Sequence, residues 1–338
     1  MPNHETELFT KEESAFFPEP FRGSFLGKDV ISVEQFTSPS EIEYLFGLAE
    51  KMGSAVQGKE RLNLLRDSTV AIIFYQPSTR TFTSFEAAAK WLGCQRVIAV
   101  PGMEAYSSAV KGESLADTIR SIERTTAADV IVLRHPEDNS SEIAAKYANV
   151  PVINAGSGRR EHPTQAMLDL FTIKEELGTL NNLRIVMLGD LQNGRTIKSL
   201  AKLLTIVASE AEITFVSPPS LRAPVDLIAR LRGLRGIKVE ETENLDEVLP
   251  KADVLYVTRV QKEWFKDEKE YQRLKGSYVI TPELMRKAKN EMIVMHPLPR
   301  VDEIHINTDI DPRAAYFRQM ENGLYIRMGL LLAVLGKA

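Results

Sequence analysis

At 338 residues the chain exceeds the usual size of one domain, so two compact units with a cleft between them are expected. With 43% hydrophobic and 26% charged residues, and no apolar run near the ~20 residues that span a bilayer, it reads as a globular protein without a membrane role. A net charge of −4 offers no basic field for nucleic acid, and the single cysteine, Cys94, excludes an internal disulfide and every multi-cysteine metal site.

The chain opens on a polar, acidic stretch, Met1 to Glu13, without the basic and apolar regions of a secretory signal, so a cytoplasmic location is expected. Residues 1–34 form an N-terminal extension expected to be flexible. At Ser38-Pro39-Ser40-Glu41 a capping serine, a proline at the first helical position and a glutamate three residues after the cap predict a helix start. From about residue 69 onward, short β-branched apolar runs alternate with segments of helical period, the pattern of parallel βαβ units. The predicted strands are Thr69 to Phe74, Arg96 to Val100, Asp129 to Leu133, Pro151 to Asn154, Arg184 to Leu188, Glu212 to Val216, Asp253 to Val257 and Met292 to Met295. Between them, Phe82, Phe85, Ala89 and Leu92 make one apolar helical stripe, and Leu115, Ile119 and Ile122 another. Cys94, in Trp91-Leu92-Gly93-Cys94 beside a strand, reads as a buried structural thiol. The boundary between units is placed near residue 163, where a Gly-rich loop meets a predicted helix, Pro163 to Leu177. Tyr325 to Leu335 is too apolar for a solvated tail and is expected to pack back on the chain. The fold class is therefore α/β: two doubly wound domains, each a mainly parallel sheet flanked by helices. The first spans residues 35–163 and is completed by a C-terminal helix at about 316–338; the second spans 164–315.

Ligands of open parallel sheets bind beyond the carboxyl ends of the strands, and those positions here are rich in anion-binding groups. Ser78, Thr79, Arg80 and Thr81 follow the first strand, Arg134 and His135 the third, and Gly156, Gly158 and His162 the fourth. Arg195 and Thr196, then Arg259, then His296-Pro297-Leu298-Pro299-Arg300 follow strands of the second half. At Ser78 to Thr81, hydroxyls, amides and the positive end of a helix can converge on a phosphate, with Arg80 as a bidentate fork. Taken singly, the same residues read as a capping turn with a surface arginine, His162 as a helix cap and Lys111 as a solvated lysine. Glu113 and Asp117 read as structural charge partners.

Together with Lys111-Gly112-Glu113-Ser114-Leu115-Ala116-Asp117, His162-Pro163-Thr164-Gln165 and Thr258-Arg259-Val260-Gln261-Lys262, these motifs resemble the aspartate carbamoyltransferase family, in order and spacing, over nearly everything after about residue 35. The resemblance implies transfer of a carbamoyl group from carbamoyl phosphate to L-aspartate, an early step of pyrimidine biosynthesis, with no cofactor and no metal. It implies that Ser78, Thr79, Arg80 and Thr81 cradle phosphate, and that Arg134, His162 and Gln165 hold the carbamoyl group. Arg195, Thr196, Arg259, Gln261 and the backbone of Pro297 and Leu298 would hold aspartate, with Lys111 serving both ligands. Thr81, Arg134 and His162 would donate to the oxyanion, each worth ~3 kcal/mol. It further implies a homotrimer in which Ser107 and Lys111 reach a neighbour's site, the 35–163 unit taking carbamoyl phosphate and the 164–315 unit aspartate. Whether a regulatory subunit or another enzyme of pyrimidine synthesis binds stays open at this level.

The chain departs from the family pattern at Gln76, where an acid is frequent, and at Phe82 and Trp264, where arginines are frequent. An ionic latch that the acid and the last arginine resemble is therefore not expected. An ornithine carbamoyltransferase is the nearest rival, disfavoured because Arg195, Arg259 and Arg300 suit a dicarboxylate and a proline stands where that branch tends to have cysteine. A nucleotide-binding protein is a remote one, because Gly189-Asp190-Leu191-Gln192-Asn193-Gly194-Arg195-Thr196 approximates a phosphate-binding loop but carries arginine in place of the required lysine.

Overall fold

The computed structural model describes residues 24–103, 111–262, 265 and 267–338. In chain order the first half runs α1 (Pro39–Gln57), β1 (Thr69–Phe74), α2 (Thr79–Trp91), β2 (Arg96–Pro101), α3 (Leu115–Thr126), β3 (Val130–His135), α4 (Ser140–Tyr147) and β4 (Val152–Ser157). After α5 (Pro163–Leu177) the second half runs β5 (Leu183–Leu188), α6 (Arg195–Val207), β6 (Ala211–Val216), α7 (Val225–Arg232), β7 (Ile237–Thr242), α8 (Leu245–Val248), β8 (Val254–Val257), α9 (Glu268–Leu274), α10 (Pro282–Met285), β9 (Ile293–Met295) and α11 (Tyr316–Val334).

Two parallel sheets result, ordered β2-β1-β3-β4 and β7-β6-β5-β8-β9. Their central strands are buried along their whole length, as β1 and β8 are, because helices cover both faces. In the first sheet the order reverses between β1 and β3, in the second between β5 and β8. At such switch points the connections leave in opposite directions and open a crevice at the strands' carboxyl ends.

The helix starts follow local chemistry. Glu41 accepts hydrogen bonds from the backbone N–H groups of Thr37 (2.8 Å) and Ser38 (3.2 Å), closing the capping box in front of Pro39. Helix α11 packs on α1, α2 and α5, so the last helix returns to the first sheet's layer. Small residues allow the approach: a Cβ on Gly53 would lie 3.1 Å from the Tyr325 ring, and one on Gly329 would lie 3.0 Å from the Leu48 Cβ. One apolar core runs from Val70 and Phe74 through Phe171 and Leu331 to Ile185 and Phe215. The two ends of the described chain are joined as well: the Gly27 N–H donates to the Val334 carbonyl at 2.9 Å, and Leu26 lies against Gly336.

Two expectations need correction. Residues 24–34 are not a flexible extension. Phe25, Val30 and Val33 are buried, and Val30 pairs with β4 through Val30 N–H to Val152 (2.8 Å) and Asn154 N–H to Val30 (2.9 Å). Strand β7 was not expected at all. Its residues Ile-Lys-Val-Glu-Glu-Thr carry three charges, and only Ile237 is buried, because β7 is an edge strand with one face toward solvent. No described helix is long and apolar enough to cross a membrane.

Because Leu331 on α11 is fully buried in the main core, Leu331→Ala should lower unfolding stability by about 2–5 kcal/mol, read from the urea midpoint. A shift below about 0.5 kcal/mol would show that the α11 seam contributes little to the fold.

Candidate functional site

A cleft of about 860 Å³ opens where the two switch points face each other. From the first sheet, the turn after β1 brings Gln76 and Ser78 to Thr81, Ser78 being the N-cap of α2. The first turn of a helix has N–H groups with no carbonyl partner inside the helix, so this wall presents donors and positive potential. The same turn is tied to β3 by Tyr75 N–H to the Arg134 carbonyl at 2.8 Å. Arg134, the β3 residue next to His135, projects its guanidinium beside β4, donating to the Ala155 carbonyl at 3.2 Å. His162, the N-cap of α5, and Gln165 on its first turn form the floor.

The second sheet supplies the facing wall: Arg195 and Thr196 open α6, Arg259 and Gln261 follow β8, and Pro297 and Leu298 follow β9. Arg195 reaches across to the Gly158 carbonyl, 2.6 Å away. At Gly156, which holds φ +123, an added Cβ would meet Arg134 Nη1 at 2.9 Å and Arg195 Cζ at 3.3 Å, so the bare backbone lets two guanidiniums come together.

Arg80, Arg134, Arg195, Arg259 and Arg327 line this cleft together with His162 and His296, and among the described residues no aspartate or glutamate lines it. The electrostatic consequence is mutual destabilisation of the cations. Burial, then Arg259, lowers the Arg80 pKa; burial, then Arg195 and Arg80, lowers that of Arg134 further. Burial and then Arg195, Arg134 and Arg327 push the His162 ring far below its ordinary value, so it is neutral. The Thr164 hydroxyl stands 3.4 Å from His162 Nδ1, and when it donates there the ring proton sits on Nε2. Nε of Arg134 and of Arg327 are buried without a hydrogen-bond partner. A cleft built this way is a receptor for a dense anion.

Several contributors were not singled out by sequence. Arg327, on α11, lies with its guanidinium 5.2 Å over the Phe85 ring, and burial lowers its pKa to about 10. Its signal was only a charge inside an apolar helix. Gln319 lines the cleft and accepts from the His296 N–H at 2.9 Å. His296 shapes the loop that follows it: Nδ1 accepts from Leu298 N–H and Nε2 faces Glu303, each at 2.7 Å, which holds Leu298 at φ +53. Asp169, buried beneath the floor on α5, accepts from Gln165, Gln319 and Tyr256.

The remaining sequence-derived positions fall elsewhere. Lys111 is exposed and does not line the cleft of its own chain. Ser107 and Trp264 lie outside the described residues. Arg300 does not serve the cleft: it pairs with Asp309 (Nη2 to Oδ2 2.6 Å) and donates to the Tyr316 hydroxyl, a structural ion pair. Phe82 packs edge-on to Phe74 at 5.3 Å, which accounts for an aromatic at that position. The loop that approximates a nucleotide-binding motif is closed on its own acid, Asp190, which accepts from the Asn193 N–H (3.0 Å) and the Gln261 N–H (3.3 Å), so those amides are already engaged. Glu113 and Asp117 bind Thr118 and Ser114, and the Cys94 thiol, buried, donates to the Ser68 carbonyl at 3.2 Å. Among the described residues no group of three or more His, Cys, Asp or Glu could hold a metal ion.

Residues 28–175 match the family model for the carbamoyl-P binding domain of aspartate/ornithine carbamoyltransferase, and residues 181–334 match that for the Asp/Orn binding domain. The chain is 47% identical over 312 residues to the aspartate carbamoyltransferase catalytic subunit of Thermococcus gammatolerans, covering 92% of this chain and 98% of that one. It is 49% identical over 313 residues, 93% of its length, to the multifunctional protein CAD of Squalus acanthias, of which it spans 14%. A crystal structure of aspartate transcarbamoylase from Trypanosoma cruzi with carbamoyl phosphate and aspartate superposes with a TM-score of 0.87 at 44% identity, covering 92% of this chain and 98% of that one.

Gly156→Ala should push the Arg134 and Arg195 side chains apart and weaken inorganic phosphate binding roughly tenfold, the scale of one displaced hydrogen bond to a charged group. Calorimetric titration measures it, with the urea midpoint as a check on folding; unchanged affinity would mean the two arginines are placed independently of this backbone.

Proposed function

The chain belongs to the aspartate/ornithine carbamoyltransferase family, and on that footing we propose that it transfers the carbamoyl group of carbamoyl phosphate to the α-amino group of L-aspartate. The observation that carries the choice of acceptor is the cleft's charge: among the described residues five arginines and no carboxylate line it. A phosphate and two carboxylates neutralise that charge, whereas the cationic side chain of ornithine would add to it.

In this reading residues 35–163, completed by 316–338, hold carbamoyl phosphate: Ser78, Thr79, Arg80 and Thr81 take the phosphate, while Arg134, His162 and Gln165 take the carbamoyl oxygen and amide. Residues 164–315 hold aspartate through Arg195, Thr196, Arg259, Gln261 and the Pro297–Leu298 backbone. The amine lone pair attacks the carbamoyl carbon, forming the new C–N bond and placing negative charge on the carbonyl oxygen. Thr81, Arg134 and neutral His162 donate to that oxygen. The C–O bond to phosphate then breaks, and the departing phosphate takes the amine proton, so no protein nucleophile is needed. Most of the acceleration comes from holding two mutually repelling anions in attack geometry, which the arginines make tolerable.

We infer, too, a cytoplasmic homotrimer with active sites shared between subunits. Lys111 stands exposed outside its own cleft, and the apolar edge strand β2 is only half-buried, so a neighbour covering β2 could receive Ser107 and Lys111.

The acceptor is tested by assaying purified protein with carbamoyl phosphate against aspartate, ornithine and putrescine; a higher kcat/KM for either amine than for aspartate overturns the assignment. Arg259→Ala should raise the aspartate KM at least about tenfold while moving the carbamoyl phosphate KM little, because it removes one charge-assisted anion contact. Arg80→Ala and Lys111→Ala trimers should each be nearly inactive, yet random equimolar reassembly should restore about one quarter of wild-type activity, since each mixed ring regains one intact junction. Trimeric mixtures with no activity would exclude shared sites.

A further inference from the structure

Helix α6 does more than open the wall that faces the first sheet. Arg195, Ser199 and Lys202, four and then three residues apart, share one face of it, and each meets the segment that leads into α5. Arg195 donates to the Gly158 carbonyl at 2.6 Å, and the His162 N–H donates to the Ser199 hydroxyl oxygen at 3.1 Å. Further along, the Lys202 ammonium donates to the Glu161 carboxylate at 3.1 Å. This last contact stands two turns behind Arg195, roughly 10 Å along the helix at ~1.5 Å per residue. Neither Lys202 nor Glu161 lines the cleft.

The pair is not an ordinary surface ion pair. Glu161 is 4% exposed, and its Oε2 accepts the Val33 N–H at 2.9 Å, which ties it to the segment before α1. Lys202 also donates to Glu34 at 2.8 Å, a carboxylate that Arg230 of α7 binds at 2.7 Å. Solvated pairs contribute little, because water competes and long side chains lose freedom. Here the inner carboxylate is buried, so withdrawing its cation leaves a charge that solvent does not reach, and the Glu161 side chain must move. Glu161 directly precedes His162, and its carbonyl accepts the Ser157 N–H at 3.2 Å, so a movement there is passed to the cleft floor and to the α6 face seated on it.

We propose that Lys202 and Glu161 are positioning residues, whose ion pair clamps α6 to the segment before α5 and so fixes where Arg195 and Thr196 stand when a dicarboxylate enters the cleft. The inference rests on the aspartate reading above and names two residues outside the substrate contacts. Neither touches a reacting atom. The clamp acts on the second ligand, because Ser78 to Thr81 hold their places from β1 and α2, which the pair does not touch. Arg195 and Thr196 begin the clamped helix itself, so any tilt of α6 about its core contacts displaces them from the dicarboxylate.

Position and charge give opposite signs. Were Glu161 to act through its field alone, Glu161→Gln would remove an anion near an arginine-lined cleft and tighten anion binding. Acting through the clamp, the same change frees α6 and weakens binding, although the glutamine still offers its carbonyl to the Val33 N–H. Succinate, a dicarboxylate without an amine, is the probe, titrated calorimetrically into phosphate-saturated protein. Glu161→Gln and Lys202→Met should each weaken its binding about tenfold, the scale of one lost charge-assisted contact. The double variant should bind no more weakly than either, as befits two ends of one interaction. Lys202→Arg, which keeps charge and reach, should recover wild-type affinity within about threefold. Phosphate affinity should stay within about twofold throughout, and the aspartate KM should rise about tenfold with kcat within about threefold. Succinate bound by Glu161→Gln as tightly as by wild type, or more tightly, overturns the proposal, as do additive losses in the double variant. If Lys202→Met does not fold, Glu161→Gln decides alone. Wild-type protein that leaves aspartate uncarbamoylated, while these binding losses appear, would sink the activity assignment and leave the clamp standing. An active enzyme whose variants bind succinate unchanged would sink the clamp alone.

Discussion

Five guanidinium groups face a common space that no carboxylate of the described residues lines, and their mutual repulsion is the constraint around which this molecule is organised. Cations brought so close lose hydration and disfavour one another's charge. Neutral groups lie against three of them: the Ala155 carbonyl on Arg134, the Gly158 carbonyl on Arg195 and the Phe85 ring under Arg327, with the bare backbone of Gly156 between the first two. A polyanion in the cleft would offset that cost, and a monovalent anion only part of it.

Rigid scaffolding is what makes such a cleft sustainable. The arginines issue from strand ends and helix starts of two parallel sheets, whose positions are set by apolar packing and not by the charges. Helix α5, buried from Pro163 to Ile173, runs between the halves, and α11 closes over α1, α2 and α5. Asp169 sits where these layers meet. It lies beneath the floor, bonded to Gln165, Gln319 and Tyr256, and does not line the cleft.

Sequence was most informative where one physical rule dominates. Doubly buried strands such as Thr69–Phe74 are runs of apolar residues, and the cluster after them, Ser78 to Thr81, stands where the switch-point rule expects a ligand. Strand β7 escaped notice because an edge strand answers to solvent on one face, so its charges outweigh its period of two. Arg327, Gln319 and Asp169 were hidden for another reason: they sit in helix interiors far apart in sequence, and only the packing of α11 against α5 brings the first two to the cleft and the third beneath it. Arg300 erred in the opposite sense. It follows a strand like the others, but Asp309 and Tyr316, nine and sixteen residues on, turn it away.

The junction of the two described ends has a consequence for how the unit can be carried. Val334 receives the Gly27 amide, and Leu26 rests on Gly336, on the side of the molecule built by α1 and α11. A polypeptide that enters and leaves a folded body at one point can be spliced into a larger architecture like a bead with a single eyelet. A pull applied there would load the seam of α1 and α11 and not the cleft between the two sheets.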